Sequence, residues 1–97
     1  MLQVFIDRAI RGNESDVNFL MNQLTCDTSF AMTRYVDYAI SRVEKAEGME
    51  RIRYYLFNGT PIQRNYASLF FNRRGDWKTV KEAYDRGLID EIQAFAR

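Results

Sequence analysis

The sequence predicts an all-α fold: a compact stack of about seven short helices in antiparallel pairs. Three observations carry this. Apolar residues recur at three- and four-residue spacing through nearly the whole chain. No stretch of useful length alternates apolar and polar residues as a strand does. One Pro and five Gly in 97 residues suit helices better than many tightly turned strands. This length predicts a single domain, residues 1–97. A chain of this size hides roughly two-thirds of its unfolded surface, enough for one core with little to spare.

Each element has its own signature. Leu2, Phe5, Ile6, Ala9 and Ile10 form the first stripe, and Gly12 ends it. Ser15 or Asp16 can cap the second helix, whose stripe is Val17, Leu20, Met21 and Leu24. Asp27 or Thr28 opens the third and longest segment. It carries Met32, Val36, Ala39, Ile40 and Val43, and Gly48 closes it. A short fourth segment holds Ile52, Tyr55 and Leu56, and Asn58-Gly59 stops it. Thr60-Pro61 restarts the chain with a capping hydroxyl and a proline at the first helical position. Ile62, Tyr66, Leu69 and Phe70 make the fifth stripe, within about a third of a turn at 100° per residue.

The sixth helix begins at a stretch with two readings, Asn72-Arg73-Arg74-Gly75-Asp76-Trp77. Arg-Gly-Asp is a cell-adhesion signal in some proteins. Here each residue suits a tight helix–helix junction. Arg73 and Arg74 complement the dipole of a helix C-terminus, Gly75 fits a left-handed stop, and Asp76 is a good N-cap. Gly87 ends that helix, and a last one runs from about Asp90 through Ile92 and Phe95. Helices this short do not stand alone in water, so they must pack on one another.

Chemistry is sparse. There is no histidine, which removes the commonest general base and metal ligand. The single cysteine, Cys26, can form neither an intrachain disulfide nor a zinc site, and reads as an inert, buried or half-buried thiol. No phosphate-binding glycine loop occurs. Glu44, Glu47 and Glu50 lie three apart, but Lys45 and Arg51 beside them mark a solvated face rather than an acid–base site. The sequence therefore predicts no enzyme, no cofactor and no metal. The opening MLQVFIDRAIRG lacks a charged region ahead of an apolar core, and no apolar run spans a bilayer. Together with the lone cysteine, this predicts a cytoplasmic setting without membrane contact.

A faint repeat runs through the chain. Gly12 leads to Val17 and Leu20, Gly48 to Ile52 and Leu56, and Gly75 to Val80 and Ala83. Gly75–Gly87, GDWKTVKEAYDRG, resembles the second helix of an ankyrin repeat, with Val80, Lys81 and Gly87 where that pattern puts them. NGTP at Asn58–Pro61 resembles the ankyrin turn. Ile62-Gln63 stands where ankyrin has Leu-His, and Thr60 to Gly75 is longer than the ankyrin first helix, so the pairing is similar to HEAT-type repeats as well. The likeness covers about a third of the chain. What it implies is a helix-pair repeat, a class that binds other proteins.

Two functional surfaces follow from the residues. Phe71 points opposite Ile62 on the helical wheel, and Tyr35 and Tyr54 sit beside their stripes. Aromatics so placed are candidates for contact with another protein chain, itself included. Homodimerisation would cap one end of a short stack. The second surface is basic. Residues 1–50 carry five Lys/Arg against eight Asp/Glu, and residues 51–97 nine against five. Arg64, Arg73, Arg74, Lys78 and Lys81 gather around the fifth and sixth helices, an alternative site for nucleic acid, although Asp76, Glu82 and Asp85 interleave with them.

Overall fold

The computed structural model describes residues 1–95. Among them the chain is all-α: α1 (Leu2–Arg11), α2 (Glu14–Met21), α3 (Phe30–Ile40), α4 (Ala46–Asn58), α5 (Pro61–Arg73), α6 (Trp77–Asp85) and α7 (Glu91–Ala94). The helices fall into two compact units, Met1–Ile52 and Arg53–Arg97. In the first, α1 packs on α2 and α3, and α2 on α3; in the second, α5 packs on α6 and α7, and α6 on α7. No helix among the described residues is long and apolar enough to cross a membrane.

In the first unit the predicted stripes of α2 and α3 form the core, except that Met32 is only half-buried. Val17, Leu20, Met21 and Leu24 are buried, as are Val36, Ala39, Ile40 and Val43. The α1 stripe is narrower than expected: Phe5 and Ala9 are buried, Leu2 and Ile6 are half-buried, and Ile10 faces water. Two caps differ from the sequence reading. Asn13, not Ser15 or Asp16, caps α2, in a reciprocal box with Asp16 at the third helical position. Ser29 caps α3 through Met32 N–H at 3.1 Å. Asp16 is 1% exposed, and its carboxylate also receives Arg11 at 2.8 Å and Arg8 at 3.4 Å.

The expected third segment stops short of Gly48 and is not the longest: α3 has 11 residues, α4 and α5 have 13 each. α3 ends at Ile40, and Gly48 lies inside the first turns of α4 rather than at a stop. The reason is contact, not backbone freedom. A Cβ on Gly48 would stand 2.6 Å from the carbonyl oxygen of Gly12 and 2.7 Å from Val43 Cγ1.

In the second unit Tyr55, Leu56, Ala67, Phe70, Val80 and Ala83 are buried. α5 departs from its predicted stripe. Ile62, Tyr66 and Leu69 are only half-buried, while Gln63, Ser68, Phe71 and Asn72 are buried. Each of the buried polar side chains Gln63, Ser68 and Asn72 makes at least one hydrogen bond, although Asn72 Oδ1 is left without a partner among the described residues. Gln63 Oε1 accepts Thr60 N–H at 2.9 Å, Ser68 Oγ donates to Asn65 O at 2.7 Å, and Asn72 Nδ2 donates to Gln93 O at 2.8 Å. On α7 the expected stripe also fails: Ile92 and Phe95 are exposed, and Ile89 and Ala94 take the buried positions.

Arg74–Asp76 is a helix–helix junction. Gly75 has φ of 75°. Its N–H bonds Asn72 O at 3.1 Å, and Asp76 N–H bonds Phe71 O at 2.9 Å, the paired bonds of a Schellman stop. Asp76 then caps α6, accepting Thr79 N–H at 3.3 Å and Thr79 Oγ1–H at 2.8 Å. Arg11-Gly12-Asn13 builds a similar junction between α1 and α2, with Gly12 at φ 62° and Asn13 as the cap.

Candidate functional site

The site begins at the turn before α3. Thr25 N–H bonds Thr28 Oγ1 at 2.9 Å, and the Thr28 hydroxyl donates to Gln23 O at 2.6 Å. With Ser29 capping, this fixes Phe30 as the first helical residue. From there α3 carries two apolar faces. Thr33, Val36, Ala39 and Ile40 turn into the core. At 100° per residue, Phe30, Arg34, Tyr38, Ala31 and Tyr35 cover the opposite arc. Phe30 is 78% exposed, Tyr38 50% and Tyr35 40%.

This second face forms one wall of an open groove of about 610 Å³, and Leu2 and Ile6 of α1 form the other. The lining is apolar and aromatic except for Arg34, whose guanidinium sits 5.8 Å from the centre of the Phe30 ring. Arg34 has no carboxylate partner among the described residues. A helix apolar on two faces, with one left in water, is the pattern of a docking surface rather than of a solvated helix. The opening is wide, which suits a polypeptide segment better than an enclosed small molecule.

The three aromatics singled out from the sequence part company. Tyr35 lines the groove. Tyr54 is 44% exposed, stacks edge-on against Tyr55 at 5.4 Å, and does not line it. Phe71 is a correction. It is 6% exposed and packs edge-on against Phe70 at 5.1 Å. Its position off the apolar stripe reflects the wider buried face of α5, not a surface role. Phe30, Arg34, Leu2 and Ile6 were missed as site residues. Their signal is the spacing Phe30, Arg34, Tyr38, a second line at i, i+4, i+8 on a helix whose core face was already accounted for.

The basic residues are scattered in their bonding. Lys81 Nζ lies 2.7 Å from Asp85, which raises its pKa from the ordinary 10.5 through hydrogen bonding and charge attraction. Glu82 accepts Arg53 at 2.8 Å and Arg86 at 3.3 Å, and both arginines lie over the Phe57 ring. These groups and Lys78 surround a recess of about 740 Å³ in which Glu82 and Asp85 offset part of the positive charge. Arg73 and Arg74 are exposed, with Arg74 over the Phe70 ring at 4.5 Å, and Arg64 is half-buried. Trp77 is exposed.

The acidic run of α4 holds structure: Glu47 Oε1 accepts Glu14 N–H at 3.0 Å. No group of three or more His, Cys, Asp or Glu able to hold a metal occurs among the described residues. Cys26 is exposed, not the buried or half-buried thiol expected. No family model matches the chain, and neither the curated proteins nor the solved structures contain a match to it.

Proposed function

We propose that this chain is a non-enzymatic protein-interaction module whose α1–α3 groove receives a segment of another polypeptide. One observation carries the reading: α3 spends its outer face on Phe30, Tyr35 and Tyr38, all exposed, beside Leu2 and Ile6. Apolar area left in water at this density is a cost that a bound chain would remove. Helix-pair packing of the ankyrin or HEAT kind, and a cytoplasmic setting, belong to the same proposal. The nucleic-acid reading ranks second, because, of its residues, Lys81 is already paired with Asp85, and Glu82 and Asp85 offset part of the charge around Lys78 and Lys81.

A photo-crosslinking amino acid in place of Tyr35 tests the proposal in extract of the native host. The expected result is an adduct with a polypeptide, identified by mass and rebuilt from purified components, and lost when Phe30→Glu is added with helicity unchanged. No polypeptide adduct, together with tight salt-sensitive binding to nucleic acid that Lys78→Ala weakens, would replace the first reading by the second.

A further inference from the structure

We infer that the α1–α3 groove takes the C-terminal helix, α7, of a second copy of this chain, joining copies head to tail. The inference rests on the protein-binding reading above and names the partner for it.

Both sides of the contact leave apolar groups in water. In the groove Phe30 is 78% exposed; on α7 Ile92 is 81% exposed and Phe95 55%. The geometry of each side is regular. At 100° per residue Glu91, Ile92 and the C-cap residue Phe95 fall within about 100° of arc, so α7 and its cap present two apolar side chains with a carboxylate at their edge. The groove presents the counterpart. Phe30, Arg34 and Tyr38 follow one another at four-residue steps, a cation flanked by aromatics over about 12 Å of helix. A single helical turn bearing Ile92 and Phe95 fits within that length.

The charges select this pairing. Neither Arg34 nor Glu91 has an ion-pair partner among the described residues. The neighbouring Asp90 is committed to its own helix, accepting Gln93 N–H at 2.7 Å. Glu91 is therefore the carboxylate left to meet Arg34. A groove-to-groove dimer would instead bring the Arg34 side chains of both copies into one contact, with like charges opposed. A head-to-tail contact uses a different surface on each copy, so copies join through one groove and one tail, in an open series or a closed ring.

Sedimentation of the full chain over a wide concentration range tests this. A contact this small gives weak association, with a dissociation constant on the order of 100 μM, so the series should reach about 1 mM. The wild type should associate as concentration rises, to a closed ring or to a growing series. Phe30→Glu and Ile92→Asp, both at exposed positions, should each weaken association by about tenfold or more with circular dichroism unchanged. The decisive measurement is the mixture. A Phe30→Glu copy keeps its tail and an Ile92→Asp copy keeps its groove, so the two together should form a one-to-one dimer that stops there. Arg34→Glu and Glu91→Arg should each weaken self-association, and mixing those two proteins should restore growth past the dimer, since each groove then meets a tail of opposite charge on the other copy. A wild type that stays monomeric throughout overturns the inference. So does a dimer lost with Phe30→Glu but untouched by Ile92→Asp, which would mean groove-to-groove pairing. If the wild type is monomeric yet the Tyr35 crosslinker captures a different protein, the inference falls and the protein-binding reading stands. If neither self-association nor an adduct is found, both fall.

Discussion

The carbonyl oxygen of Gly12 occupies the place where Gly48 would carry a side chain, 2.6 Å from the position of its Cβ. The end of α1 and the start of α4 are therefore in backbone-level contact. Gly12 cannot retreat easily, since its φ is 62° and its N–H is bonded to Arg8 O at 2.9 Å.

Gly48→Ala sets two effects against each other. Alanine is favoured over glycine inside a helix by about 1 kcal/mol. Forcing a methyl group into a filled space costs about 1–3 kcal/mol, toward the upper end when the obstacle is backbone. The clash wins, and the substitution should lower stability by about 1–2 kcal/mol in a urea melt. A melt at or above wild type would show that α4 can shift away from Gly12 without loss.

Gly75 presents the opposite case. A Cβ there would meet nothing within 4 Å, yet its φ is 75°. Only backbone strain opposes a side chain. Gly75→Val should cost about 1 kcal/mol or more, and Gly75→Asn distinctly less, because asparagine tolerates the left-handed region. Equal melts for glycine and valine would remove this account of the junction and, with it, the architectural reading of Arg74-Gly75-Asp76.

Asp16 should give the fold an acid-sensitive component. The Arg11 guanidinium holds its carboxyl below the ordinary value of 3.8, aided by Asn13 N–H and Arg8 and opposed by burial. A depressed folded pKa means that the unfolded chain binds the proton more readily. The contribution is complete above the unfolded pKa, near 4, and is lost as pH falls through the folded value. Asp16→Asn removes a buried charge-assisted acceptor at a helix cap, which should cost on the order of 2 kcal/mol at neutral pH. Its deficit against wild type should shrink as urea melts are repeated from pH 5 downward. A deficit independent of pH would mean that Asp16 acts through shape alone.

Much of this fold is legible in the sequence, and the failures have physical causes. The stripes of α2 and α3 predict their burial because apolar side chains fill most of the core face there, Asp16 and Thr33 being the polar exceptions. α5 hides Gln63, Ser68 and Asn72, and hydropathy gives no sign of that. Their side chains bond Thr60 N–H, Asn65 O and Gln93 O, bonds visible only after the helix has formed and packed. Gly48 reads as a stop because glycine usually punctuates helices, and only the approach of Gly12 explains it inside one. The groove is half legible. Tyr35 marks it, but the rule that an apolar helical residue belongs to the core conceals a helix with two apolar faces, so Phe30 goes unnoticed.

The contrast between Phe71 and Tyr35 tests the division between core and surface. Phe71 is 6% exposed, lies edge-on to Phe70, and its carbonyl anchors the stop at Gly75 through Asp76 N–H. Phe71→Ala should cost about 3–5 kcal/mol, the transfer of the ring plus the cavity it leaves. Phe71→Glu would bury a charge with no partner and should abolish the cooperative melt of its unit. Tyr35 is 40% exposed on the outer face of α3. Tyr35→Glu should change stability by less than about 1 kcal/mol while removing whatever the groove binds. Circular dichroism and thermal melts of the three variants, beside crosslinking and sedimentation, separate the roles. A Phe71→Glu chain that melts like wild type would place Phe71 at a surface after all, and a Tyr35→Glu chain that unfolds would make the groove part of the core.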